Sequence, residues 1–242
     1  METKTPGIVL NHLKYSDTSL VSTIYTRAYG RKAFLVQGVY RPKTKFSATF
    51  FQPLTLLDLE IIVNPQRELQ RIREVSFHQP FHSLPFNVVK SSVAMFLAEI
   101  LYKTLREEEP NHTVFDFLLS SIQFFDLMTD GIANFHIWFL VNFSKYLGFY
   151  PENNYSSVSK LFDPVNGRFY QPSFSNIKEE DTLVSEYLHQ FLNVSPEKLE
   201  TIKINHHIRY ALAVTLVEYF QLHLGGLGQV KSLPVLQSVF GE

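Results

Sequence analysis

The stretch that decides the fold is RAYGRKAFLVQGVYRPKTK, from Arg27 to Lys45. Residues 28–31 look like a hairpin connection, with Gly30 at the position that needs a positive φ. Residues 32–39 read as a strand with Gly38 near its end, and a basic loop fixed at Pro42 follows. No Asp or Glu occurs between Thr18 and Leu57, yet Arg27, Arg31, Lys32, Arg41, Lys43 and Lys45 all fall inside. Basic residues gathered on the loops of a small β-domain suggest a surface that follows a polyanion, nucleic acid first. A solvated loop face explains the same pattern, and charge alone favours neither.

Working outward, residues 7–15 are apolar then alternating, and Ser16-Asp17 supplies a turn before the β-branched run 19–27. Residues 53–63 alternate cleanly, Asn64-Pro65 turns the chain, and residues 69–77 alternate again. Five short strands with one long basic connection match an OB-type barrel, with a small SH3-like barrel as the competing reading. Beyond Pro80 the period changes. Residues 81–85, between Pro80 and Pro85, form a linker. Helical spacing is predicted over 88–107, over 114–127 with Thr113 as N-cap, and over 132–147 after a break at Asp130-Gly131. Residues 148–174 are irregular, and helices are expected over 177–192 and over 195–224, the latter opened by Ser195-Pro196-Glu197 and stopped by the glycine-rich tail. The expected architecture is α+β: an OB-fold barrel over 1–80, then an α-helical domain over 81–242 with an irregular insertion at about 148–175.

The 242 residues are 45% hydrophobic and 19% charged, which is globular composition with length enough for a core. The net charge of −1 conceals a split: residues 1–80 hold eleven Lys/Arg against six Asp/Glu, and residues 81–242 hold eleven against seventeen. That asymmetry would orient a polyanion toward the front. The chain has no cysteine, which excludes disulfides, thiolate metal sites and a Cys nucleophile. No leader and no membrane-length apolar run is evident, so a cytoplasmic protein is expected.

Nine histidines invite a metal reading, but Pro80 separates His78 from His82, and His206-His207 are adjacent on a helix and point apart. There is no Gly-x-Ser-x-Gly elbow, and GGLGQVKS follows a helix and lacks the order of a phosphate loop. No metal, cofactor or catalytic constellation is expected, which favours a binding protein over an enzyme. Candidate DNA contacts are Arg27, Arg31, Lys32, Arg41, Lys43 and Lys45, with Tyr40 or Phe34 to stack on a base. The stripe Phe135, Trp138, Phe139, with Lys145 nearby, is either a partner groove or core. Lys90 and Lys231 are further candidates for a basic patch beside it.

The chain resembles the bacterial RecO recombination-repair proteins nearly end to end. The likeness is carried by Gly7-Ile8-Val9-Leu10, Asp17-Thr18-Ser19-Leu20-Val21, Tyr25-Thr26-Arg27 with Gly30, Gly38 with the basic loop, and Gln52-Pro53-Leu54. Phe96-Leu97-Ala98-Glu99-Ile100-Leu101, Leu147-Gly148-Phe149 and His223-Leu224-Gly225-Gly226 continue it in order. The resemblance implies an OB-fold followed by helices, and a cytoplasmic, nucleoid-associated, non-enzymatic mediator. Such a mediator binds single- and double-stranded DNA and anneals complementary strands. It implies RecR and the acidic tail of the single-strand-binding protein as partners, and indirectly the RecA recombinase. Many members hold zinc through paired cysteines in the region matching 148–174; this chain keeps Phe162-Asp163-Pro164 and Gly167 there without cysteine. An OB-type protein-interaction adaptor without DNA affinity is the alternative.

Overall fold

The computed structural model describes residues 2–41, 44, 46–172 and 178–240. Five strands open the chain: β1 (Glu2–Lys14), β2 (Leu20–Thr26), β3 (Gly30–Val36), β4 (Leu56–Ile62) and β5 (Leu69–Phe77). They close a barrel in the order β1-β2-β3-β5-β4, antiparallel except where β3 runs parallel to β5. This is the five-stranded, OB-like closure expected from the alternating runs. β1 serves two neighbours, pairing with β4 through its first half and with β2 through its second. A bulge between Val9 and Asn11 bends it for that purpose. The backbone groups freed at Val9 are taken by Thr55 O and Leu54 N, and Leu54 accepts a left-handed φ of 62° to make the second bond.

The inward residues of each strand fill the barrel: Val9, Leu20, Ile24, Phe34, Val36, Leu57, Leu59, Ile61 and Ile72. Phe34 is wholly buried there, so it is not available to stack on a base.

Two helices complete this first compact unit, which comprises residues 1–86 and 94–126; residues 87–93 and 127–242 form the second. The helices are α1 (Val88–Thr104), whose residues from Ala94 onward belong to the barrel unit, and α2 (His112–Leu127). α2 starts earlier than predicted: Asn111 Oδ1 accepts from Val114 N at 3.0 Å, so Asn111 and not Thr113 is the cap.

In the second unit a 3-10 turn (Ile132–Asn134) leads into α3 (Phe135–Tyr146), and α4 (Glu179–Asn193) and α5 (His206–His223) pack with it. The helix predicted over 195–224 is broken. Residues Pro196–Thr201 form a 3-10 segment, Ile202 and Ile204 are buried from an extended run, and Asn205 caps α5 by accepting from Ile208 N at 2.9 Å. Asn134 fastens the break by donating to Leu199 O and Ile202 O, both at 2.9 Å. A helix absent from the sequence reading, α6 (Ser232–Phe240), follows the glycine-rich tail.

The irregular region holds a small hairpin, β6 (Leu161–Asp163) with β7 (Arg168–Tyr170). Asp163 Oδ1 accepts from Val165 N at 2.9 Å, and Gly167 at φ 64° completes the turn. Phe162 and Phe169 are buried and meet each other, and Phe162 also meets Tyr219 edge-on, with ring centroids 5.4 Å apart in both pairs. Tyr155 packs edge-on to Phe169, whereas Tyr170 remains 43% exposed and pins nothing.

His136, in the first turn of α3, is 1% exposed and stacks on Phe240. Burial, then the Arg209 charge, pushes its imidazole down to about 3. An unfolded chain protonates this histidine near pH 6.5, while the folded one resists until about 3. The stability this contributes is therefore complete above pH 6.5 and drains away as pH falls toward 3, by up to about 1.4 kcal/mol per pH unit. Denaturant unfolding at pH 7 and pH 4.5 should show a smaller acid-induced loss for His136→Leu than for the parent. Equal losses would contradict it.

Candidate nucleic-acid interface

Sequence reading places three cations at the β2–β3 hairpin, and the structure commits Arg27 and Arg31 to the two helices of the same unit and Lys32 to the loop between them. Arg27 grips Asp116 of α2 with both prongs, Nε to Oδ1 at 3.0 Å and Nη2 to Oδ2 at 3.2 Å. The pairing raises the Arg27 guanidinium and lowers the Asp116 carboxyl relative to their ordinary values. Arg31 Nη1 donates to Tyr102 O at 2.8 Å and Leu105 O at 3.2 Å, and its guanidinium lies 4.4 Å from the centre of the Tyr102 ring. These carbonyls end α1, where no intrahelical donor reaches them and a cation is favoured. Lys32 pairs with Glu108 just beyond that helix end. A phosphate at this hairpin would have to displace existing partners, so the three residues act first as fasteners of the helices.

The outer face of the barrel is consequently in two halves. Cross-strand register aligns outward residues in rows: Ile8–Tyr25–Arg31, Asn11–Thr23–Ala33 and Leu13–Val21–Leu35. The first row is covered, Tyr25 stacking on Phe115 of α2 with centroids 6.2 Å apart and Arg31 lying over Tyr102. Tyr25 is 3% exposed, and that burial, with the Glu107 charge, pushes its hydroxyl up to about 12. The last row is open: Leu13 is 62% exposed, and Val21 and Leu35 are half-buried.

At the same end of the barrel stand Tyr15 in the β1–β2 turn and Tyr40-Arg41 in the turn closed by Arg41 N on Gly38 O. Tyr15, Tyr40 and Arg41 are exposed. Arg71 belongs beside them, although sequence reading overlooked it. It follows the pairing of β3 with β5 at Ala33–Leu69 and Phe34–Gln70, and it points outward because Gln70 and Ile72 on either side are buried. Neither Arg41 nor Arg71 has an ion-pair partner among the described residues, whereas Lys14 meets Asp17 at 3.6 Å. Lys43 and Lys45 lie outside the described residues.

The other side of the barrel repels a polyanion. A surface groove of about 410 Å³ is lined by Asp58, Glu60 and Glu74 together with Lys4, and Arg73 pairs with Glu60 beside it. In the second unit, Phe135 and Phe139 are wholly buried and Trp138 is 9% exposed. They form core, with Phe139 against Phe143 and Phe143 against Phe220, and do not line a groove. Lys145 is exposed on the last turn of α3, but Lys90 is buried and donates to Met128 O at 2.6 Å. His78 is engaged with Asp58, and no cluster of three His, Cys, Asp or Glu residues suited to a metal occurs among the described residues. None of the helices described is long and apolar enough to cross a membrane.

Residues 1–81 match the family model described as recombination protein O N terminal, and residues 85–234 match recombination protein O C terminal. The chain belongs to the recombination protein O family. Family members named DNA repair protein RecO cover it nearly whole. The one from Phocaeicola vulgatus is 36% identical over 247 residues, covering 98% of each chain. That from Azobacteroides pseudotrichonymphae is 34% identical over 240 residues, again 98% of each, and that from Flavobacterium psychrophilum 33% over 242 residues, 99% of this chain and all of its own. The two RecO family models meet between residues 81 and 85, where the chain leaves the barrel.

Proposed function

We propose that this chain is a DNA repair and recombination mediator that binds single- and double-stranded DNA and anneals complementary strands without catalysing a covalent step. With RecR and the single-strand-binding protein it would help load the RecA recombinase, acting in the bacterial cytoplasm on the nucleoid. The observation that carries this reading is the open half of the barrel face, where Arg41 and Arg71, without an ion-pair partner among the described residues, stand beside exposed tyrosines on an OB-like barrel. Cations with no protein partner are free to neutralise phosphates, and shielding two backbones lets complementary bases meet. Full-length relatives named for DNA repair support the same role. Helical-unit contact with the acidic tail of the single-strand-binding protein remains part of the proposal, with Lys145 as its exposed cation and without Phe135, Trp138 and Phe139 as contacts.

Annealing of complementary oligonucleotides by the purified protein tests the reading directly. Replacing Arg41 and Arg71 together by Ala should flatten the dependence of log K on log[salt] by about 1 to 1.5, since each phosphate contact on a single strand contributes roughly 0.7. Annealing should slow in parallel. A double variant that binds and anneals like the parent at several salt concentrations would place the DNA site elsewhere, and a parent that binds no oligonucleotide would leave the adaptor alternative.

A further inference from the structure

Resting on the DNA-binding reading, we propose that Glu107–Glu109 is an acidic strap that competes with the nucleic-acid backbone for Lys32 and so masks the β2–β3 hairpin. The three carboxylates run consecutively in the connection between α1 and α2, and all three residues are exposed. Their connection lies along the hairpin. Arg31 N donates to Glu107 O at 3.2 Å, at a level where β3 has no pairing with β5. The Glu108 carboxylate meets the Lys32 ammonium. Gly30 permits the close approach: at its φ of 60°, an added Cβ would stand 2.4 Å from Glu109 O.

Fastening alone does not account for the three charges. The bond to Glu107 O and the packing on Gly30 involve no carboxylate, and an exposed ion pair adds little stability. What the carboxylates supply is an anionic segment lying where a phosphate backbone would otherwise meet the hairpin. Arg27 is held by Asp116 and Arg31 by the carbonyls that end α1. Lys32, its side chain 17% exposed, is therefore the hairpin cation that the strap itself occupies. By the parallel register of β3 with β5, Lys32 lies three residues, about 10 Å, along the strand from the level of Arg71. A backbone that runs from Arg71 along β3 meets the strap, and it gains one more cation only by displacing it.

The test measures binding of a fluorescently labelled oligothymidine to the full chain at several salt concentrations. Glu107→Gln with Glu108→Gln removes two charges at exposed positions and keeps the side-chain shape. Expected is about fivefold tighter binding at about 0.1 M salt, with a dependence of log K on log[salt] steeper by roughly 0.7, the share of one phosphate contact. The gain should vanish when Lys32→Ala is added, because that cation makes the new contact. Gly30→Asn tests the same release with every charge kept. Asparagine tolerates the positive φ, but its Cβ would meet Glu109 O and push the connection off the hairpin. It should also tighten binding and steepen the slope; should it fail to fold, the Lys32→Ala comparison decides alone. Parent-like affinity in either folded variant, or a gain that survives Lys32→Ala, would overturn the strap and leave the DNA-binding reading in place. A parent that binds no oligonucleotide would overturn both.

Discussion

Asp126→Ala should cost about 3–5 kcal/mol of folding stability, the largest loss expected from any single side-chain truncation in the barrel unit. Asp126 is 2% exposed near the end of α2. Its Oδ2 accepts from His82 N at 2.7 Å, and its Oδ1 accepts from Ser83 N at 2.9 Å and Leu84 N at 2.7 Å. Its backbone carbonyl also receives the Ser83 hydroxyl. One carboxylate thus satisfies three consecutive backbone donors that have no strand or helix to enter. Alanine leaves those N–H groups without their partner, that of Leu84 in a buried position. Asp126→Asn keeps one carbonyl oxygen for Ser83 and Leu84 but turns an amide toward His82 N, so its loss should be about half as large. Urea unfolding of the two variants checks the order; an alanine variant within 1 kcal/mol of the parent would contradict it.

That cluster also shows where sequence reading stops. Residues 81–85 are legible as a linker, because Pro80 and Pro85 forbid a continuous element. Nothing local indicates that a carboxylate more than forty residues away holds it. The barrel was legible because period-two alternation states which side of each strand is buried, and β5 has the predicted bounds of 69–77. The break at residues 202–205 was not, since Asn205 inside an apolar-periodic run looks like a surface helix position until Asn134 is found bonded to Leu199 and Ile202. The site behaved similarly. Charge density pointed to the barrel, but counting cations cannot tell a paired one from a free one. Arg31 and Arg71 look alike in sequence, and register together with helix placement separates them.

Arg31→Ala should separate stability from DNA binding. The side chain gives up two charge-assisted bonds to the carbonyls of Tyr102 and Leu105 and its stacking on Tyr102, and it leaves the end of α1 without its cation. Hydrogen bonds from a charged donor contribute about 1.5–3 kcal/mol each, and partial exposure and replacement by water bring the expected total to about 2–3 kcal/mol. Arg31→Lys keeps the charge but not the flat fork, and should recover less than half of that loss. Because the guanidinium is already committed, oligonucleotide affinity measured well below the melting transition should fall by less than about threefold, with the salt slope changed by less than the roughly 0.7 of one phosphate contact. Arg41→Ala, at an exposed position without a partner among the described residues, should show the reverse: stability within about 0.5 kcal/mol of the parent and a flatter salt slope. If instead Arg31→Ala keeps its melting temperature and loses a full phosphate contact, the hairpin cations exchange their helix partners for DNA when the strand arrives.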